Sequence, residues 1–180
     1  MLTRQEYDNA CTRAIDRIRA AGITLTGTDL KNVAAADFGL NRLKTEGAQI
    51  ATLVQTERLA VKILVLFPSQ TEPEHWHPPV GDDPGKEETV RAISGNLRFY
   101  IPGEDTLKEG FIPEGKEDCY TVRHEVIMQP GDQLTLAPGE KHWFQAGPGG
   151  AVMYSFSTCV RDILDGFTDP DIKRETIIKD

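Results

Sequence analysis

At 180 residues the chain is long enough to bury one core, and no shift in composition divides it, so a single domain over 1–180 is expected. Hydrophobic residues at 39% and charged residues at 27% exclude a disordered or collagen-like chain. A formal net charge of −8, with no Lys/Arg cluster interleaved with aromatics, disfavours nucleic acid and acidic membrane surfaces as partners.

The longest apolar run, Val61 to Phe67, contains a lysine and is too short to span a bilayer, and the first residues lack a signal-peptide core. Three cysteines, Cys11, Cys119 and Cys159, are odd in number and show no CxxC spacing, which fits a reducing compartment. A cytoplasmic protein is expected.

In chain order, the first element is a helix. From Thr3 to Ala21 the apolar positions Tyr7, Ala10, Cys11, Ala14, Ile15 and Ile18 recur at helical spacing, Thr3 and Glu6 form a capping box, and Gly22 is the stop. A polar connection through Thr28 and Asp29 and an apolar piece from Val33 to Phe38 complete a helical N-terminal extension, 1–46.

From about Gly47 the pattern becomes extended. Strands are predicted at Gln49–Gln55, Leu59–Phe67, Glu88–Ile93, Asn96–Ile101, Tyr120–Met128, Gln133–Leu136, Trp143–Ala146 and Ala151–Ser157. Turn signals such as Gly95, Pro130-Gly131 and Pro138-Gly139 separate them. Many short strands point to an all-β sandwich or barrel over 47–160, entered by a helix. The remainder, 161–180, reads as a tail of turn and extended chain.

The chemistry is concentrated in EHWHPPVGDDPGKEE, Glu74 to Glu88. In an extended segment residues two apart share a face, so His75 and His77 point together and Trp76 points away. The same parity puts Lys86 with Glu88, and Glu87 with Arg91 on the opposite face. If the strand carrying Glu88 lies beside that of the histidines, a carboxylate joins two imidazoles, and His142, after the Pro138-Gly139 turn, is a fourth candidate. Three histidines and a glutamate suit Mn²⁺, Fe²⁺, Co²⁺, Ni²⁺ or Zn²⁺. Trp143 and Phe144 read as core or pocket wall, and His124 has no partner at ligand spacing.

The order of His75, His77, Glu88 and Gly95, followed by Gly131, Gly139 and His142, resembles the two motifs of the cupins. It departs from them at Ser69, Ala137 and Ala146, and in the ten residues between His77 and Glu88. That long spacer, together with EHWHPPV, GKEET, KHWFQAG and FTDP between Asp37 and Ile172, is similar to the D-lyxose isomerase family of cupins.

The resemblance implies a double-stranded β-helix, or jelly-roll barrel, with a metal at its mouth, held by His75, His77, Glu88 and His142. It implies an aldose–ketose isomerase acting through an enediol, chiefly on D-lyxose and D-xylulose, with D-mannose and D-fructose as secondary substrates, Mn²⁺ preferred and a homodimer expected. Lys86 matches the family's lysine and is the first acid/base candidate. Ser155 stands where the family's active-site glutamate would be, and a serine is no general base without an activating partner. On that reading, restoring a glutamate at 155 raises turnover. A neutral sugar is expected because few cationic groups beyond Lys86 are in view. The alternatives are an Fe²⁺-dependent cupin dioxygenase and a non-catalytic carbohydrate-binding cupin.

Overall fold

The computed structural model describes residues 1–179; Asp180, the end of the expected tail, lies outside them. A two-residue strand, β1 (Leu2–Thr3), leads into helix α1 (Arg4–Ala20). The capping box forms as expected, with the Glu6 N–H donating to the Thr3 hydroxyl and the Thr3 N–H donating to Glu6 Oε2. A second capping box, Thr26 with Asp29, starts the short helix α2 (Gly27–Lys31) in what the sequence presents as a polar connection.

The apolar piece after it is not part of a helical extension. Val33–Ala36 forms β2 and pairs antiparallel with β3 (Ala48–Gln55), which pairs with β4 (Leu59–Leu66). Alternation decides this, because Val33 and Ala35 enter the core beneath α1 while Ala34 stays exposed.

Next come β5 (Thr71–Trp76), β6 (Glu88–Ile101), β7 (His124–Met128), β8 (Gln133–Leu136) and β9 (His142–Thr158). Where the sequence suggests four separate strands, β6 and β9 each run through their glycines as one long bent strand. The register between them shifts at Ala92/Ser94 and at Gly95/Leu97, so the glycines mark bulges and not chain reversals. Gly95 has φ 75°, and a Cβ there would lie 1.9 Å from the Gly150 carbonyl oxygen. Only glycine permits that approach.

These two strands fold the sheet over on itself. Their outer halves continue β2, β3 and β4 on one side and β8 on the other; their inner halves join β5 to β7. Leu64, Leu66, Val90, Leu97, Phe99, Phe144 and Met153 fill the space between the layers. Each fully buried side chain of this size contributes roughly 1.5–3 kcal/mol. The result is the curled antiparallel sheet of a cupin-type double-stranded β-helix, with α1 packed through Ala10, Ala14 and Ile18 on its outside.

The predicted strand at Tyr120 begins only at His124, because a 3-10 turn at Glu117–Cys119 buries the Tyr120 ring, whose hydroxyl donates to Glu46 at 2.8 Å. The tail is built into the sheet. Gly166–Phe167 forms β10 against β5, and Ile178–Lys179 forms β11 parallel to β1. Among the described residues no helix is long and apolar enough to cross a membrane.

Candidate active site

Strand parity does what the sequence suggests at the histidine pair. His75 and His77 turn inward, and Trp76 turns out beneath the Lys141 ammonium. β9 then brings His142 directly opposite His75 in the ladder. The ring of His75 lies 4.2 Å from that of His142 and 5.2 Å from that of His77, and one ring nitrogen from each of the three lies within 4.8 Å of the others.

The tautomers follow from the acceptors. His75 Nδ1 is 2.8 Å from the Pro73 carbonyl, His142 Nδ1 is 2.9 Å from the Glu140 carbonyl, and His77 Nδ1 is 2.8 Å from the Asp165 carboxylate. Each acceptor takes the proton on Nδ1, which leaves Nε2 of His75 and of His142 a free lone pair, while His77 Nε2 meets the Glu88 carboxylate. Burial and the neighbouring rings hold His75 well below the usual imidazole range and His142 at about 4, so both are neutral.

Glu88 reaches this group from the first residue of β6. The strand carrying it does not lie beside β5; β9 pairs with both, Glu88 opposite Ser157 at one end and His75 opposite His142 at the other, so the carboxylate arrives from the facing layer of the folded sheet. Its Oε2 is 3.1 Å from His77 Nε2 and 3.0 Å from Lys86 Nζ, and its Oε1 accepts the Ser155 hydroxyl at 2.5 Å. Burial favours the neutral acid, but Lys86, His77 and Ser155 outweigh it and hold Glu88 well below the usual carboxylate range. The ten-residue spacer closes on itself through the Val80–Asp83 bridge and through Gly85, φ 108°, where a Cβ would lie 2.4 Å from the His77 carbonyl oxygen. The loop thereby returns Lys86 and Glu88 beside the histidine it left.

The Lys86 side chain is mostly buried, and burial opposes its charge, but Glu88, Asp162 and Asp165 together raise its pKa and keep it an ammonium. His77 is also raised, because its bonds to Asp165 and Glu88 outweigh the effect of burial.

Five residues that sequence reasoning passed over line the same cavity: Lys62, Glu72, Asp162, Asp165 and Arg174. Asp162, Asp165 and Arg174 come from the tail, whose composition carries no signal for this. Lys62 is the lysine inside the apolar run, and there a visible signal existed. Its ammonium meets Asp162 at 2.5 Å, with Arg174 at 3.5 Å and Lys86 at 3.9 Å from the same carboxylate. The expectation of few cations beyond Lys86 is therefore corrected, although Asp162 lies against all three.

Glu72 was hidden by parity, which assigns it to the face of Trp76. The β5–β9 register shifts between Glu72 and His75, around Pro73, and this bulge re-aims Glu72 toward the histidines. A proline within a strand is itself the mark of such a break. Glu72 Oε2 is buried without a hydrogen-bond partner, and burial, then Glu88, push the carboxyl up to about 7.

The remaining candidates lie elsewhere or act as wall. Phe144 lines the cavity, and Trp143 is stacked on Tyr100 outside it. His124 contacts the Glu104 carbonyl and Thr106 away from the cavity, and all three cysteines are free. A larger cavity, about 720 Å³, lies between α1 and the loop at Asn41–Thr45 and contains none of the histidines.

The donor set fits a divalent transition metal. His142 Nε2 is a buried nitrogen with no hydrogen-bond partner among the described residues, its lone pair is fixed by the Glu140 bond, and two further imidazoles converge on it, while the ionised Glu88 carboxylate stands against His77.

No protein-family model matches the chain. Among curated proteins, the D-lyxose ketol-isomerase of Cohnella laeviribosi is 47% identical over 175 residues, covering 97% of this chain and 96% of that protein. The D-lyxose/D-mannose isomerase of Thermosediminibacter oceani is 42% identical over 181 residues and the full length of both. Among solved structures, the L-ribose isomerase of Acinetobacter sp. DL28, in complex with L-ribose, superposes with a TM-score of 0.82 at 16% identity, covering 99% of this chain and 98% of that one. That likeness concerns the fold. Identity of this level over the whole length places the chain in the D-lyxose ketol-isomerase family, sugar isomerases that interconvert aldoses and ketoses.

Proposed function

We propose that the chain is a divalent-metal-dependent aldose–ketose isomerase whose principal pair is D-lyxose and D-xylulose, with D-mannose and D-fructose as a second pair. The carrying observation is the convergence of three imidazoles, His75 and His142 neutral with free Nε2 lone pairs and His77 joined through Nε2 to Glu88, in a chain whose relatives bear that activity in their names. His75, His77, His142 and Glu88 would hold the metal, with Mn²⁺ preferred. When bound, the metal supplies Lewis-acid polarisation of two adjacent sugar oxygens, which makes the carbon-bound proton between them more acidic.

The chain's own residues do the rest. Lys86, kept charged by its three carboxylates, donates a proton to the carbonyl oxygen O1 as a C1=C2 double bond forms, and takes one from O2 as the ketone forms. Asp162 fixes Lys62, Arg174 and Lys86 around the cavity, leaving a polar wall without a free cationic pocket for phosphate. A cytoplasmic homodimer completes the proposal; light scattering that gives a 20.0 kDa monomer rejects the dimer.

The test is proton NMR of D-lyxose and D-mannose incubated separately in D₂O with protein reconstituted with Mn²⁺, the ion being removed before measurement. Ketose with deuterium at the carbon next to the carbonyl, absent with His75→Ala, is the expected result. Neither ketose nor exchange with any of Mn²⁺, Fe²⁺, Co²⁺, Ni²⁺ or Zn²⁺ would reject the isomerase reading.

A further inference from the structure

An isomerase of this kind needs a base for the carbon-bound proton, and the side chain at 155 cannot serve. Ser155 is committed as a donor to Glu88. The other carboxylates of the cavity are also engaged: Glu88 with Lys86, His77 and Ser155, Asp162 with Lys62 and Arg174, and Asp165 with His77. Glu74, the next acid along β5, faces away and binds the Thr121 hydroxyl, the Val122 N–H and Lys141.

Glu72 differs from all of these. It lines the same cavity, its Oε2 is buried with no hydrogen-bond partner, and among the described residues no ion pair joins it. A buried carboxylate oxygen left unpaired costs about 1–3 kcal/mol, and a native fold that keeps one calls for a use. A bulge at Pro73 is what turns it inward.

We infer that Glu72 is the general base that carries the proton between C2 and C1, in the place of the glutamate that Ser155 replaces; this rests on the isomerase reading. The Glu72 carboxylate takes the proton from C2, and the C2–H electron pair becomes the C1=C2 double bond. The carbonyl π pair moves to O1, which takes a proton from Lys86. In the second half the O2 proton goes to Lys86, the O2 electron pair forms the new carbonyl, and the double-bond pair takes the proton back from Glu72 at C1. Both residues end as they began.

The experiment compares Mn²⁺-reconstituted wild type with Glu72→Gln and Glu72→Asp. It measures kcat, KM, loss of deuterium from C2-labelled D-lyxose, bound Mn²⁺ after dialysis, and calorimetric affinity for D-arabinitol, the alditol of D-lyxose, which has no carbonyl and cannot isomerise. Expected for Glu72→Gln is a fall in kcat of about 10²–10⁴-fold, with deuterium loss abolished and Mn²⁺ content and D-arabinitol affinity at wild-type level. Glu72→Asp is expected to recover part of kcat. Turnover of Glu72→Gln within about tenfold of wild type overturns the inference, as does loss of Mn²⁺ or of D-arabinitol affinity, which would make Glu72 a ligand or positioning residue. An inactive wild type removes the isomerase reading and this inference with it; an active wild type with an active Glu72→Gln removes the inference alone.

Discussion

Ser155 donates its hydroxyl to Glu88 Oε1 at 2.5 Å, from a position on β9 whose ladder neighbours are Lys62 on one side and Val90 on the other. The residue that the family resemblance marks as a lost base is thus a support for a metal-ligand candidate. A charge-assisted bond of this kind contributes about 1.5–3 kcal/mol, and loss of such an outer partner weakens metal binding by about 10–100-fold. Ser155→Ala is expected to weaken Mn²⁺ binding by that factor in a competition titration. Ser155→Glu is expected to lose metal affinity as well, because a second buried carboxylate against Glu88 forces one of the two to take up a proton. Turnover above wild type in Ser155→Glu would return position 155 to the role of base.

Asp165 acts on His77 as Ser155 acts on Glu88. Its carboxylate accepts the Nδ1 proton at 2.8 Å and thereby turns Nε2 toward Glu88 and the other two histidines. Asp165→Asn can present its amide NH₂ to the ring and favour the opposite tautomer. The expected outcome is a drop in Mn²⁺ affinity of about 10–100-fold, with thermal stability of the metal-free protein changed far less. Unchanged affinity would show that the tail does not orient the ligand.

How much of this was legible depends on which rule governs each residue. The helix and its capping box follow from spacing and a local exchange of hydrogen bonds, and His75 with His77 follows from the two-residue period of a strand. Both signals are short-range. Glu72 obeys the same period until Pro73 breaks it, so the rule that found the histidines put the carboxylate on the wrong face. Asp162, Asp165 and Arg174 reach the cavity only because β10 docks on β5, a pairing of two residues that no pattern in the tail announces. The long bent strands β6 and β9 were cut in two because a glycine in a turn and a glycine in a bulge read alike.

One departure from the cupin motif has a backbone reason. Ser69 stands at the expected glycine and adopts φ 58°, in the left-handed region. That conformation costs a residue with a Cβ about 1–2 kcal/mol, and the Ser69 N–H bond to the Gly147 carbonyl, 3.1 Å, does not need the side chain. Ser69→Gly is expected to raise the melting temperature by roughly 2–4 °C, the shift for about 1 kcal/mol in a protein of this size. A lower melting temperature would mean that the greater freedom of glycine in the unfolded chain dominates.

The pH dependence of the metal-free protein separates the histidines from Glu72. Between pH 4.5 and 6.5 an unfolded chain carries protonated histidines and ionised glutamates. In the fold His75 and His142 stay neutral, since their values lie well below 6.5 and at about 4, while Glu72, raised to about 7, keeps its proton. The two histidines contribute stability that is full above 6.5 and lost as the pH falls toward their folded values. Glu72 contributes stability that is full below 4.5 and lost as the pH rises through about 7. His77, raised above 6.5, acts above this window, and Glu88, lowered, acts below it. In the window the native protein therefore binds about one proton fewer than the unfolded chain, and in Glu72→Gln about two fewer. Each proton corresponds to about 1.4 kcal/mol per pH unit. Unfolding free energy from urea titrations is expected to fall on acidification in both proteins, about twice as steeply in Glu72→Gln. Equal slopes would show that Glu72 is ionised in the fold at these pH values.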